Sequence, residues 1–293
     1  MKLSILIISY KSITKIQKCL ANLGKEREII IVENSNKFEI KNEIEKKFNN
    51  CKVILNYKNL GFATAANIGL KKINSQFVIL LSTDVEINNQ QIIEIENEIM
   101  NNNSFTLASP LSNDLIDFNK NNVLDKYLKN SEINPSNKNN VIKVDQVKGA
   151  SLIINLNKFI TKKVFDENFF FFFEEIDLCR RLKENNENIF VFSKIKISHS
   201  SGQGVDKNLE SNYINFRHWN FFWGKFYYYK KHYGYIYSLI KHMSKLLRFF
   251  INSLRYYFIS DVEYKKNKYR FLGLFSSIIG IKSSYSDKIL NKK

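Results

Sequence analysis

The sequence is poor in the residues that staple or anchor a chain. Three cysteines, Cys19, Cys51 and Cys179, are spread over 293 residues without a C-x-x-C pair. Their odd number and wide spacing argue against a disulfide framework and a zinc site, and suit a reducing cytoplasm. No uninterrupted apolar run reaches the roughly 18 to 20 residues needed to cross a bilayer. The nearest candidate, FLGLFSSIIGI at 271–281, is too short. The opening MKLSILIISYKS lacks the small-residue cleavage site of a signal peptide and reads instead as a first β-strand. A soluble or peripheral protein is expected. There is no internal repeat, and no G-x-G-x-x-G to signal a dinucleotide site.

What is present is apolar mass and positive charge. At 44% hydrophobic and 14% aromatic residues, the chain can build one large domain or a domain with an appendage. The net charge of +17 is uneven, because residues 205–293 carry 17 Lys and Arg against 5 Asp and Glu, or +12, which leaves +5 for residues 1–204. The sequence therefore divides at 204/205 into a front region and a basic tail. Anionic lipid, nucleic acid and an anionic substrate all suit such a charge.

In the front region, continuous apolar strands alternate with amphipathic helices. Strands are expected at 3–9, 28–33, 52–56 and 77–82, with helices from Ser12, as N-cap, to about Leu23, near 38–48, and at about 63–72. This pattern implies an α/β fold, a Rossmann-like, mostly parallel sheet with helices on both faces. The stretch 112–140, rich in Asn, Lys and Asp, reads as a long loop, of the kind that is a lid or a disordered segment, and VDQVKGASLIINLNKF at 144–159 resumes the sheet. The tail from Asn212 interleaves aromatics with Lys, Arg and His as one or two basic amphipathic helices.

Ligands of such sheets sit beyond the carboxyl ends of the strands. The segments there are SYK (Ser9, Tyr10, Lys11), ENS (Glu33, Asn34, Ser35), NLGFATAANIG at 59–69, and STD (Ser82, Thr83, Asp84). Glu33 can simply cap its loop, or it can accept from the ribose or base of a nucleotide. Gly61 and Gly69, among small residues that open a helix, make either an ordinary tight turn or a close approach for phosphate. Asp84 is either a turn former or a ligand for a hard divalent cation. His199, in KISHSSG, becomes a second ligand if it converges on Asp84.

The run FFFFFEEIDLCRR at 169–181 sets five phenylalanines against Glu174, Glu175 and Asp177. One reading is a buried strand that ends where a solvated helix begins. The other is a tuned carboxylate site, because carboxylates beside apolar bulk are costly unless paired or bound.

The ordered segments SILIISYK, IIIVENS, NLGFATAANIG, FVILLSTD, VKGASLIINLNKF, FDENFFFFFEEIDLCRRLKENN and ISHSSG resemble the family 2 glycosyltransferases, especially their rhamnosyltransferase-like branch. The resemblance runs over residues 1 to about 204. It implies a GT-A fold, inverting sugar transfer from a nucleotide-diphosphate donor, and Mg²⁺ or Mn²⁺ as cofactor. By position, Ser9, Tyr10, Glu33, Asn34, Asn59, Gly61, Asn67 and Thr83 would line the nucleotide-sugar pocket. Lys148 and Gly149 would lie in the donor and acceptor cleft, and Asp84 and His199 would hold the metal. Glu175 matches the catalytic base, with Glu174 and Asp177 beside it. The chain departs from the family pattern in STD, which lacks the first Asp of D-x-D, in SYK where Thr-Tyr-Asn is common, and in VEN where Val-Asp-Asn is common.

The family also implies a glycan or lipid-linked acceptor and a role in bacterial cell-surface polysaccharide synthesis. The aromatic helices of the basic tail, with Trp219, Trp223 and many tyrosines, either pack on the catalytic domain or on a second subunit, or suit an anionic membrane surface. The membrane reading is favoured and places the protein on the inner face of the cell membrane. The competing class is a basic nucleic-acid-binding protein without enzymatic activity. It accounts for the tail and leaves the front motifs unexplained, so nucleic acid is not expected as a partner. A nucleotidyltransferase would want a glycine in SYKSITK, and there is none.

Overall fold

A computed structural model describes residues 3–113, 115, 125, 127–128, 140–200 and 210–283. Most of the loop expected at 112–140 and the boundary expected at 204/205 lie outside the described residues. The chain forms two compact units. The first comprises 1–58, 64–166 and 175–205, and the second 59–63, 167–174 and 206–293.

The first unit is built on a nine-stranded sheet. Its strands are β1 (Leu3–Ser9), β2 (Ile29–Glu33), β3 (Cys51–Leu55), β4 (Phe77–Ser82), β5 (Val85–Glu86), β6 (Leu107–Ser112), β7 (Val141–Lys143), β8 (Ser151–Asn155) and β9 (Ile189–His199). The order is β3-β2-β1-β4-β8-β6-β9-β5, with β7 paired to β9. β1 is central and parallel to both β2 and β4, and Ile5, Leu6 and Ile7 on it are fully buried. A strand covered on both faces must be apolar at every position, which is why LSILIIS shows no alternation.

Helices α1 (Ile13–Ala21), α2 (Phe38–Lys47), α3 (Phe62–Lys72) and α4 (Asn89–Asn101) intervene between strands. Asn88 caps α4 with a full capping box to Gln91. Ser12 does not cap α1. Lys11 adopts a left-handed φ of 52°, and the Ser12 hydroxyl turns back to donate to the Tyr10 carbonyl at 2.9 Å.

The second half of the sheet is mixed. β8 runs antiparallel to β4 and β6, while β6 and β9 are parallel. An apolar strand reads alike in either direction, so the run SLIIN does not announce this reversal. The β6–β9 register shifts between Pro110 and Leu111, where a proline without an N–H cannot continue the ladder.

In the second unit the tail forms three helices rather than one or two: α6 (Glu210–Tyr233), α7 (Tyr235–Tyr256) and α8 (Asp261–Ile278), following α5 (Glu174–Glu184) in the chain. α6 is largely apolar and buries Phe216, Trp219, Trp223, Phe226 and Tyr228. Gly273 lets α8 approach closely, since a Cβ there would lie 2.2 Å from the Trp219 carbonyl oxygen. Both tryptophans are therefore core residues and not membrane anchors, because aromatics on every face of α6 demand burial.

Phe169 to Phe173 are not a strand. They bend, with Phe172 and Phe173 at left-handed φ values of 71° and 72°, and pack edge-on or tilted against Phe216, Phe221, Tyr227 and Tyr228 of α6. Left-handed conformations are costly for bulky residues and persist only where packing holds them. Here the aromatic layer does so, and the chain emerges directly into α5.

Candidate active site

The strand registers bring the predicted segments to one edge of the sheet. Ser9 pairs with Glu33 at the ends of β1 and β2, and Ile8 pairs with Ser82 at the end of β4. β8 runs the other way, so its start adjoins the end of β4, with Leu81 opposite Ser151 and the Ser82 N–H donating to the Ala150 carbonyl at 2.9 Å. Lys148 and Gly149 thereby reach the same edge. β9 ends there too, with His199 opposite Val85.

Glu33 is fully buried and accepts from three donors: the Ser9 hydroxyl (2.5 Å), the Ser35 hydroxyl (2.5 Å) and the Lys11 N–H (3.0 Å). Its carboxylate ties the β1 and β2 loops together and sets Tyr10, whose ring lies under the Lys11 ammonium at 5.1 Å. Asn34, also buried, accepts from the Asn56 amide at 2.7 Å. Lys11 and Ser35, which the sequence placed in the strand-end segments without giving them a role, hold this carboxylate.

Asn67 serves the fold. Its amide donates to the Phe165 carbonyl at 2.9 Å, and its oxygen accepts from the Val164 and Phe165 N–H groups at 3.1 and 3.0 Å. Asn59 and Gly61 belong to the second unit, where the Asn59 side chain accepts from the Gly61 N–H at 3.0 Å. Gly61 has φ +82°, and a Cβ there would lie 2.4 Å from the Phe170 carbonyl, so only glycine fits this turn.

His199 Nε2 lies 3.4 Å from Asp84 Oδ1, both side chains being mostly buried. The backbone of His199 is fixed on Asn113, whose side-chain oxygen accepts from the His199 N–H at 2.9 Å. Nothing distinguishes Asn113 among the many asparagines of the sequence. Thr83 and Asp84 also line a cavity of about 140 Å³ with Lys15, Lys18 and Ser200. A carboxylate and an imidazole suit a divalent cation. Among the described residues no third His, Cys, Asp or Glu joins them.

Glu175, at the start of α5, packs against Gly149, where a Cβ would lie 3.5 Å from that of Glu175. One carboxylate oxygen, Oε2, is buried without a hydrogen-bond partner. Burial raises the pKa of the carboxyl above its ordinary value, while the N–H of Glu175 itself, the Lys148 charge and the Ile176 N–H pull it down. Glu174 is buried and grouped with the second unit. Asp177 is fully buried and accepts from Arg181 Nε at 2.8 Å, while Arg181 also donates to the Val164 carbonyl at 2.8 Å. Asp177 thus holds α5 in place, whereas Glu175 keeps one buried carboxylate oxygen outside any hydrogen bond, as does Oε2 of Glu174.

The family model described as Glycosyl transferase family 2 matches residues 4–166, more than half of the chain. The chain belongs to glycosyl transferase family 2. Among relatives of this family 2 glycosyltransferase, the low-salt glycan biosynthesis hexosyltransferase Agl10 of Haloferax volcanii is 27% identical over 222 residues, 72% of this chain and 71% of its own. The mannosyltransferase PcManGT from Pyrobaculum calidifontis, solved with GDP-Man and Mn²⁺, matches with a TM-score of 0.55 at 9% identity, over 94% of this chain and 86% of that one. TarS 1–349 of S. aureus in complex with UDP-GlcNAc matches with a TM-score of 0.52 at 14% identity, over 94% and 91% of the two chains. At such identities the structural likeness speaks to the fold, which is GT-A.

Proposed function

We propose that this family 2 glycosyltransferase moves a hexosyl group from a nucleotide-diphosphate sugar to a hydroxyl of a glycan or lipid-linked acceptor, with inversion at the anomeric carbon. The observation that carries the reading is Glu175, a carboxylate with a raised pKa and an unpartnered buried oxygen, set against Gly149 and Lys148 at the carboxyl edge of the sheet.

In this reading the Glu175 carboxylate accepts the proton of the attacking hydroxyl as its oxygen bonds to the anomeric carbon. The bond to the diphosphate breaks on the opposite face and its electron pair leaves with the phosphate. The Lys148 charge opposes the rise that burial imposes and so favours the ionised form of the base. The Ser9–Glu33–Lys11 cluster shapes the nucleotide end of the cleft. Asp84 and His199 are the residues that would hold Mg²⁺ or Mn²⁺, which when bound supplies Lewis-acid stabilisation of the departing diphosphate.

Agl10 supports the hexosyl assignment, and the nucleotide sugars held by PcManGT and TarS support the donor class. A rhamnosyl donor and a place in cell-surface polysaccharide synthesis rest on the motif resemblance, and a position at the inner face of the membrane rests on the basic tail.

The test is a thermal-shift screen against nucleoside diphosphates and their sugars, with and without Mn²⁺ or Mg²⁺, on wild type and Asp84→Ala. Stabilisation that needs nucleotide and metal together, and that disappears in the variant, is the expected result. No response to any nucleotide, with a response to single-stranded nucleic acid, would return the protein to the non-enzymatic class.

A further inference from the structure

Among the described residues, α7 carries more exposed large hydrophobic side chains than any other element. Ile236, Ile240, Met243, Leu247, Ile251 and Leu254 recur every three or four positions and stand open to solvent, with Ile240 at 74% and Leu254 at 61%. The buried residues Ser238, His242 and Phe249 occupy the opposite side of the same helix. At 100° per residue the open residues form one stripe, with Lys241, Arg248 and Arg255 along one flank. The helix has 22 residues, or about 33 Å of length. It is not a crossing segment, since among the described residues no helix is long and apolar enough to span a membrane.

We propose that this face of α7 docks on the surface of an anionic lipid bilayer, with the helix lying in the interfacial plane. A strongly two-faced helix with aliphatic residues on one side and cations beside them is the form that interfacial helices take. Charge favours lipid over a second copy of the chain. From Ser211 to Ser260 there are eight Lys and Arg and no Asp or Glu, so two such faces would bring cations together without acidic partners. Lys225 on α6 shows the same unbalanced field, with its pKa pushed down to about 8 by burial and then by the charges of Lys245 and Lys241. Anionic headgroups supply the missing counter-charge. Nucleic acid is disfavoured because the stripe is chiefly aliphatic, and aliphatic side chains offer bases no stacking platform. Docking at this face concerns the acceptor's surroundings and is independent of the donor chemistry.

The experiment is flotation of the full chain with phosphatidylcholine vesicles, with or without phosphatidylglycerol. Wild type floats with the anionic vesicles. The double variant Ile240→Glu, Leu247→Glu, altered only at exposed positions and checked for an unchanged melting temperature, loses at least about tenfold in partition. Lys241→Gln, Arg248→Gln, Arg255→Gln loses the preference for phosphatidylglycerol. Failure of folded wild type to float, or flotation of the double-Glu variant equal to wild type, would overturn the proposal. So would a concentration-dependent dimer, or binding of single-stranded RNA, that Leu247→Glu abolishes in a protein that does not float.

Discussion

His199 Nε2 and Asp84 Oδ1 meet at 3.4 Å although 115 positions separate them in the chain. Antiparallel pairing of Val85 with His199 sets the imidazole beside a carboxylate that directly precedes β5. The pair is the strongest candidate for the cation-binding end of the site.

Asp84→Ala is expected to remove metal-dependent donor binding, and His199→Ala to weaken it by about 10- to 100-fold, as loss of a supporting metal contact does. Titration of Mn²⁺ at saturating nucleotide measures both. Equal Mn²⁺ affinity in wild type and both variants would remove the pair from this role.

Glu175→Gln is expected to lower turnover by about 10²- to 10⁴-fold, the range for loss of a general base, while nucleotide affinity stays within a few-fold. Because burial raises this carboxyl, its ionised form carries a cost in the folded state that grows as pH rises from the unfolded pKa to the folded one. The variant should therefore melt no lower than wild type at neutral pH, which separates lost chemistry from lost folding.

The acid limb of the pH–rate profile should lie above the ordinary carboxylate range, since Glu175 must be ionised to act. Lys148 opposes the rise, so Lys148→Met should move that limb to still higher pH. A limb unmoved by the substitution would show that another group titrates.

Asn67→Ala should destabilise the first unit by about 2 kcal/mol or more, by leaving the buried Val164 and Phe165 N–H groups and the Phe165 carbonyl without the Asn67 amide. Urea denaturation reads this directly. A loss of nucleotide affinity with unchanged stability would instead make Asn67 a pocket residue.

Gly61→Ala forces a side chain into a left-handed turn against the Phe170 carbonyl and should cost about 1 to 3 kcal/mol, measured in the same way.

The parallel core was legible because buried strands announce themselves as unbroken apolar runs. β1 to β4 and their helices fall within one or two residues of expectation. β6, with the sequence LASPLS, gave no such signal, since its burial comes from its neighbours rather than its own side chains. Strand-end residues such as Glu33 and Asp84 could be singled out because chemistry in this class of sheet gathers at carboxyl ends, and Glu175 because a carboxylate beside apolar bulk is costly unless paired or bound. Their division of labour could not. Asp177 and Glu175 look equivalent in EEID, and only the Arg181 partner of one and the unpartnered oxygen of the other tell them apart.

Local pattern alone determined the strand and helix succession, the basic tail and the order of motifs that marks the family, because periodicity, charge and turn chemistry are written in neighbouring residues. Tertiary structure decided the reversal of β8, the meeting of Asp84 with His199, the bend of the phenylalanines onto α6 and the burial of Trp219 and Trp223. Each of these depends on long-range packing and pairing, and no short stretch of chain carries that information.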